Sequence, residues 1–265
     1  FTKLTEKKNR GKQLSLMFAT ASFLGILAPI VAGTIIEYKG FDILFIIAIV
    51  LFLTSSIPYL TIPRTNETYS WTYKETWRQA LLKKNQTVVV PFFADGVESA
   101  VGLIIWPIFI FNILEGNYFE VGAVSTLIIG VTIFVQLATG SYIDGKGKQS
   151  LLKVGSILYS LGWIFKIFVA TAFHIFAAGV YHSIMKIFTR TPFDTLMYEM
   201  AADQGHYIDE FSTLREIALG VGRTGMLALA IIISTYVSIE WTFIFAAVAS
   251  LLFNLVYAKH IDFNK

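Results

Sequence analysis

Eight apolar runs, each long enough to cross the hydrocarbon of a bilayer as a helix, take up most of this chain: residues 14–36, 43–62, 87–114, 121–143, 152–172, 173–198, 211–237 and 241–258. A spanning helix needs about 20 mostly apolar residues. Barrel strands alternate polar and apolar positions over about ten residues, and these runs are continuous instead. The expected fold class is therefore all-α, a polytopic transmembrane helix bundle. Composition agrees, with 55% of residues hydrophobic and only 15% charged, where soluble domains carry about 25% charge. One junction is abrupt. The fifth and sixth runs meet at Ala172–Phe173, which requires a tight turn there.

Basic residues mark one side of the layer. Lys3, Lys7, Lys8, Arg10 and Lys12 precede the first run, and Arg64, Lys74, Arg78, Lys83 and Lys84 fill the long gap after the second. Lys146, Lys148 and Lys153 follow the fourth, Arg215 opens the seventh, and Lys259 and Lys265 lie in the tail. The alternate gaps hold little: Lys39 in one, Glu115 and Glu120 in another, His174 in a third. Loops rich in Lys and Arg stay on the cytoplasmic side. Both ends of the chain are accordingly expected in the cytoplasm, in a multi-pass protein of the cell membrane. The alternative, a single long buried helix across Ala172–Phe173, would reverse everything downstream and break the alternation. The first residue is Phe1 and no basic-then-apolar leader opens the sequence, so the chain reads as a fragment or processed product with material missing before it.

Local patterns add detail. Residues 69–84 mix aromatic and basic side chains at helical spacing, which fits either an amphipathic surface helix, with Trp71, Tyr73 and Trp77 at headgroup depth, or a solvated connector. Pro91 and Pro107 with Gly96 and Gly102 predict a bent third helix. The second and eighth runs share an acidic entry and a Phe/Ile-rich start, and the first and seventh share spaced small residues, a faint repeat of the kind transporters carry. The Asn66 and Asn85 sequons fall in the loop placed in the cytoplasm and are expected to carry no glycan.

Several chemistries are absent from the sequence. It has no cysteine, so disulfides, thiolate metal sites and cysteine nucleophiles do not arise. The four histidines lack ligand-like spacing, and no phosphate-binding glycine loop or serine-hydrolase motif occurs. No cofactor and no ATP-driven step is expected. The net charge of +3 is spread over loops, not pooled into a nucleic-acid patch.

The most informative short segment is Gly140-Ser-Tyr-Ile-Asp144-Gly-Lys-Gly147-Lys148-Gln149, between the fourth and fifth runs. Its glycines permit a sharp reversal between two helices. This spacing resembles the G-x-L-a-D-r-x-G-r-r loop signature of the major facilitator superfamily. Gly140, Asp144, Gly147 and Lys148 match; Tyr142, Gly145 and Gln149 replace the usual leucine, arginine and second basic residue. Gly25, Ala28, Pro29, Ala32 and Gly33 are in turn similar to the glycine–proline pattern of antiporter members, with alanine twice in place of glycine. Taken as the second copy of the loop, the segment implies that the eight runs correspond to spans five to twelve of the family. Residues 1–62 then hold the last two spans of an N-terminal bundle, 63–86 the cytoplasmic central loop, and 87–265 a C-terminal six-helix bundle.

Charged residues inside spans are costly, about 2.5–3.5 kcal/mol each at the bilayer centre on insertion scales. Asp95 and Glu98 share a face of the third run, and Lys186 and Arg190 share a face of the sixth. At about 1.5 Å per residue both pairs lie roughly 10–18 Å from the cytoplasmic end. Acids and bases at matched depth are expected to pair across facing helices. Two readings stand: a cavity cluster that binds solute or a coupling proton, or a buried ion-pair clamp that never touches ligand. Lys166 is expected to snorkel outward. Arg215 and Arg223 are expected to form a cytoplasmic gate or anchor, paired with Asp194, Glu199, Asp203 and Asp209.

The resemblance implies two bundles rocking about a central cavity lined by the spans that carry these four charges. The expected function is transport of a small solute across the lipid bilayer, driven by protons through Asp95 or Glu98 or by the solute's own gradient. A sensor or assembly factor on the same scaffold is the alternative, separated from transport by whether substrate flux occurs; an intramembrane enzyme lacks a catalytic constellation.

Overall fold

A computed structural model describes residues 25–61, 69–144, 147–204 and 207–256, with residues 13, 16, 17, 20, 21 and 23; at 59 and 136–144 it describes the backbone alone. Apart from short links, the described residues are helical, and none of them forms a strand. In chain order the helices are α1 (Ala28–Ser55), α2 (Tyr73–Leu81), α3 (Gln86–Ala100), α4 (Trp106–Ile113), α5 (Tyr118–Asp144), α6 (Lys148–Ile167), α7 (Ala172–Asp203), α8 (Ile208–Tyr236) and α9 (Thr242–Leu252).

Where it is described, each apolar run is mostly helix, with breaks such as residues 168–171 at the end of the fifth. Four helical stretches, Lys83–Ile113, Tyr118–Val135, Lys148–Ile167 and Ile208–Tyr236, are long and apolar enough to cross a membrane. Many large apolar side chains point outward, among them Phe134 at 76% and Phe168 at 74% exposure. A surface of that kind is built for hydrocarbon, not water. The fold is a polytopic helix bundle, as expected.

The breaks between helices fall where backbone chemistry places them. Gly40, at φ +79°, interrupts α1 between the first and second apolar runs, a conformation that side chains with a Cβ resist. The abrupt junction predicted at Ala172–Phe173 is a short link just before α7. There the Thr171 hydroxyl accepts the His174 amide at 3.2 Å and caps the helix. α3 and α4 form one bent rod. They are joined by a wide π-helical turn, Val101–Ile105, directly ahead of Trp106-Pro107. Pro107 has no N–H to give and its ring crowds the carbonyl four residues back, so the turn widens to absorb both effects.

The helices pack as a ring with an extension. α8 lies along α3, α3 against α9, α9 against α6, α6 against α7, and α7 touches α8. α5 then packs on α7, and α1 on α5. Small residues set the closest approaches. A Cβ at Gly155 would come within 2.7 Å of the Phe188 carbonyl oxygen, and one at Gly96 or Gly222 would overlap the carbonyl of Leu219 or Phe93. Gly33 and Gly122 meet the backbone of the facing helix in the same way where α1 crosses α5. Between helices in lipid, such close backbone approach replaces the hydrophobic effect as the source of association.

The stretch at 69–84 forms α2. Thr72 caps it by accepting the Glu75 amide at 3.3 Å, with glutamate at the third helical position. The helix is docked on protein, not simply laid on a surface. Thr76 and Ala80 are buried, the helix packs on α8, and the Ser70 amide donates to Glu210 Oε1 at 2.6 Å. Tyr73 and Trp77 remain exposed on the other side. Asn85 is fully buried and donates to the Gln79 backbone carbonyl at 2.7 Å and to Gln79 Oε1 at 3.0 Å, which leaves no room for a glycan.

Gly96→Val is expected to separate α3 from α8 and lower the melting temperature of the detergent-solubilised protein, whereas Gly220→Ala, whose Cβ meets nothing within 4 Å, leaves it unchanged. Equal melting of the two variants would show that α3 and α8 do not meet at Gly96.

Candidate functional site

Helix α3 carries Asp95 and Glu98 into the bundle, where they are 1% and 5% exposed. Asp95 takes both arms of the Arg190 guanidinium from α7. One contact is between Nη1 and Oδ1, and the other is an Nη2–Oδ2 hydrogen bond of 3.0 Å. Planar fork-to-fork pairing of this kind fixes orientation as well as charge. Arg190 also reaches Asp194, one turn further along α7, with Nε–Oδ2 at 3.3 Å. The expected pairing across helices is thus found for Asp95 and Arg190.

It is not found for the other two. Glu98 accepts from the Tyr159 hydroxyl of α6 at 2.6 Å, and no ion pair joins it to Lys186 among the described residues. Glu98, Tyr159, Lys186 and Arg190 nevertheless border one narrow space, closed off by Phe253. The four charges predicted from sequence therefore meet at one level as a layer, in which Lys186 stands without an acid of its own.

Aromatic rings enclose this layer from both sides. Toward the α2 end, Phe92 packs edge-on against Phe193 and Phe211, and Phe193 against Phe253 at 4.8 Å. Toward the opposite end, Phe243 meets Trp106, Phe109 and Trp163 at 5.2–5.8 Å. Rings above and below exclude water, which strengthens every electrostatic contact between them.

Lys166 departs from expectation. It does not snorkel outward but is 2% exposed, with Nζ 3.9 Å from the Trp163 ring centre and 4.2 Å from that of Trp106. Snorkelling needs a path to the interface, and both tryptophans stand across it; their π faces hold the ammonium instead. His182 stacks beside Tyr159 and Trp163 at 4.3 and 4.5 Å, with a buried Nδ1 that meets no partner.

The acids expected to serve Arg215 and Arg223 are distributed otherwise. Asp194 serves Arg190, and Glu199 binds Lys148 at 2.5 Å, tying the start of α6 to the far end of α7. Arg215 contacts Glu216 at 2.8 Å, lies over Phe92, and leaves its buried Nε unpaired. Arg223 lies deeper than expected, about 22 Å along α8 from Ile208; it is exposed and its Nε donates to Ser99 Oγ at 3.0 Å. Of the loop motif, Gly145 falls outside the described residues, and Gly140 and Asp144 are described as the backbone at the end of α5. Gly147 precedes the first turn of α6.

A cavity of about 560 Å³ opens between α5, α7 and α8. Its polar wall includes Lys186, Arg190, Asp194 and Arg215, and its apolar wall includes Ile133 and Met197. A volume of that size holds a small organic molecule. Two contributors went unread in the sequence. Tyr159 carries no local signal for its role, because only the fold brings it to Glu98. Asp194 was legible as one turn from Arg190, but its nearness to the span end assigned it to the loop charges.

The comparisons bear on the same architecture. A family model described as Major Facilitator Superfamily matches residues 1–222. No curated protein matches the chain. The matched region contains the charged layer, the cavity wall and the loop motif at 140–149, and it covers most of the sequence. The chain belongs to the major facilitator superfamily and is an integral membrane protein of a transporter family.

Proposed function

We propose that this chain forms part of a secondary transporter that moves a small solute by alternating access through the cavity between α5, α7 and α8, with protons as the coupling ion. One observation carries the reading. Arg190 stands on the cavity wall and is wired by paired hydrogen bonds to Asp95 on another helix, so occupancy of the cavity and the packing of α3 against α7 are linked. A solute that draws on Arg190 loosens that link, and conformational change follows from such differential contact.

Glu98 is the proton carrier in this reading. Asp95 spends both oxygens on Arg190, whereas Glu98 is held by the Tyr159 hydroxyl and borders the space shared with Lys186. The loop motif Gly140, Asp144, Gly147 and Lys148, with Arg215, serves as the gate at the cytoplasmic end, and Arg223, halfway along α8, is no part of it; the Lys148–Glu199 contact supports the gate by joining α6 to α7 there. Residues 1–62 supply the last two spans of one bundle, 63–86 the cytoplasmic connector and 87–265 the second bundle, in a cell membrane with both chain ends inside.

Three outcomes test these assignments. In vesicles containing the full-length protein, Glu98→Gln is expected to abolish uptake driven by a pH gradient while solute exchange continues; pH-driven uptake at the normal rate would remove Glu98 from the coupling path. Asp95→Asn removes the paired hydrogen bonds of a part-buried guanidinium that keeps only Asp194, a loss smaller than the roughly 3–5 kcal/mol of a fully buried pair, and is expected to lower the melting temperature in detergent below that of Glu98→Gln. Equal melting would mean that Arg190 does not depend on Asp95. The chain has no native cysteine, so Glu115→Cys and Lys146→Cys report sidedness cleanly. Membrane-impermeant maleimide is expected to label the first from outside intact cells and the second only after lysis. Labelling of both from one side would overturn the orientation.

A further inference from the structure

We infer that the solute is an organic anion, a carboxylate or phosphate on an apolar body, with Lys186 as its counterion. The inference rests on the cavity being the solute site and adds the chemical class of what enters it. Three cations stand on the cavity wall, Lys186, Arg190 and Arg215, against one acid, Asp194. Arg190 is already satisfied, by Asp95 behind the wall and Asp194 beside it. Neither Asp95 nor Glu98 offers the cavity a free negative charge: both are almost fully buried, one committed to Arg190 and the other holding Tyr159.

Two donors are left over. Lys186 is exposed, sits one turn from Arg190, and makes no ion pair among the described residues. Arg215 spends Nη1 on an exposed Glu216 and keeps a buried Nε with nothing to bind. An ammonium in the middle of a span is costly unless an anion or water meets it, and a buried guanidinium N–H without an acceptor is a standing penalty. An anionic ligand relieves both. Lys186 lies about 12 Å along α7 from the level of Asp194, and Arg215 lies near the Phe92 level on the α2 side of the layer, so the two donors are successive stations and not one clamp. Arg190, held between Asp95 and Asp194, separates them. The remaining wall is mixed: Ile129, Ile133, Ile187 and Met197 suit a hydrocarbon or aromatic body, and Thr132, Ser183 and Thr191 add hydroxyls beside it.

The test uses four probes with one body: 4-phenylbutanoate, 4-phenylbutyl phosphate, 4-phenylbutanol and 4-phenylbutylammonium. Binding to the full-length protein in detergent is read by tryptophan fluorescence, and flux in vesicles is read separately. The carboxylate and phosphate are expected to bind and the ammonium not to. Lys186→Gln should weaken anion binding about tenfold, the order of one lost charge-assisted hydrogen bond, and Lys186→Arg should restore it. Arg215→Gln should weaken it by a smaller factor. Preference between carboxylate and phosphate identifies the headgroup. Ammonium or alcohol binding as tightly as the anions, or unchanged anion binding in Lys186→Gln, overturns the inference even if transport occurs. Anion binding that needs Lys186 but is never followed by flux retains it and sinks the transport reading instead.

Discussion

The interaction on which the bundle depends is the charge pair between Asp95 and Arg190, made between a buried carboxylate and a guanidinium on the cavity wall. Each partner alone would be costly there. Together, in fork-to-fork geometry with Asp194 completing the guanidinium's shell, they become a fixed link from α3 to α7. Those helices belong to opposite sides of the ring. Joining them sets the distance across which everything else packs.

The neighbouring chemistry follows from that placement. A polar layer is tolerable in an apolar interior only if its members satisfy one another and bulk water stays out. Aromatic tiers provide the seal, Phe92, Phe193 and Phe253 on one side and Trp106, Trp163 and Phe243 on the other. Lys166 sits in the second tier and uses two indole faces where another protein would place a carboxylate. Charge is thus handled in three ways within one cross-section: by an opposite charge at Arg190, by π faces at Lys166, and by exposure to the cavity at Lys186.

Much of this was legible in the residues. Long apolar runs give the helices, and the alternation of basic loops requires the turn that Thr171 caps. Pro107 with Gly102 announced a bend, which takes the form of a π-helical turn. Asp95, Glu98, Lys186 and Arg190 stood out because charge inside an apolar run has to be accounted for, and helical spacing gave their depth. Their wiring was less accessible. Whether Glu98 meets Lys186 or Tyr159 depends on how α6 and α7 face each other across from α3, and close approach at Gly155 and Gly162, against Phe188 and His182 of α7, sets the α6–α7 part of that arrangement. Lys166 was misjudged for a related reason: one-dimensional depth says how far a side chain is from the interface, not what stands in its way. Two tryptophans, one from the α3–α4 rod and one a turn away on α6, block the route.

The position of Arg223 constrains the outer wall of the molecule. Its guanidinium lies halfway along α8, turned away from the core, with Ser99 as its neighbour and with Gly220 and Gly225 bare beside it. Acyl chains give a fixed cation no acceptor, and α8 is far too long for a side chain at mid-length to reach either headgroup layer. That strip of the perimeter must therefore abut polypeptide or an aqueous cleft. The circumference is unequal as a result: most of it is shed to lipid, and one flank, bearing a single permanent positive charge, is reserved for something wetter.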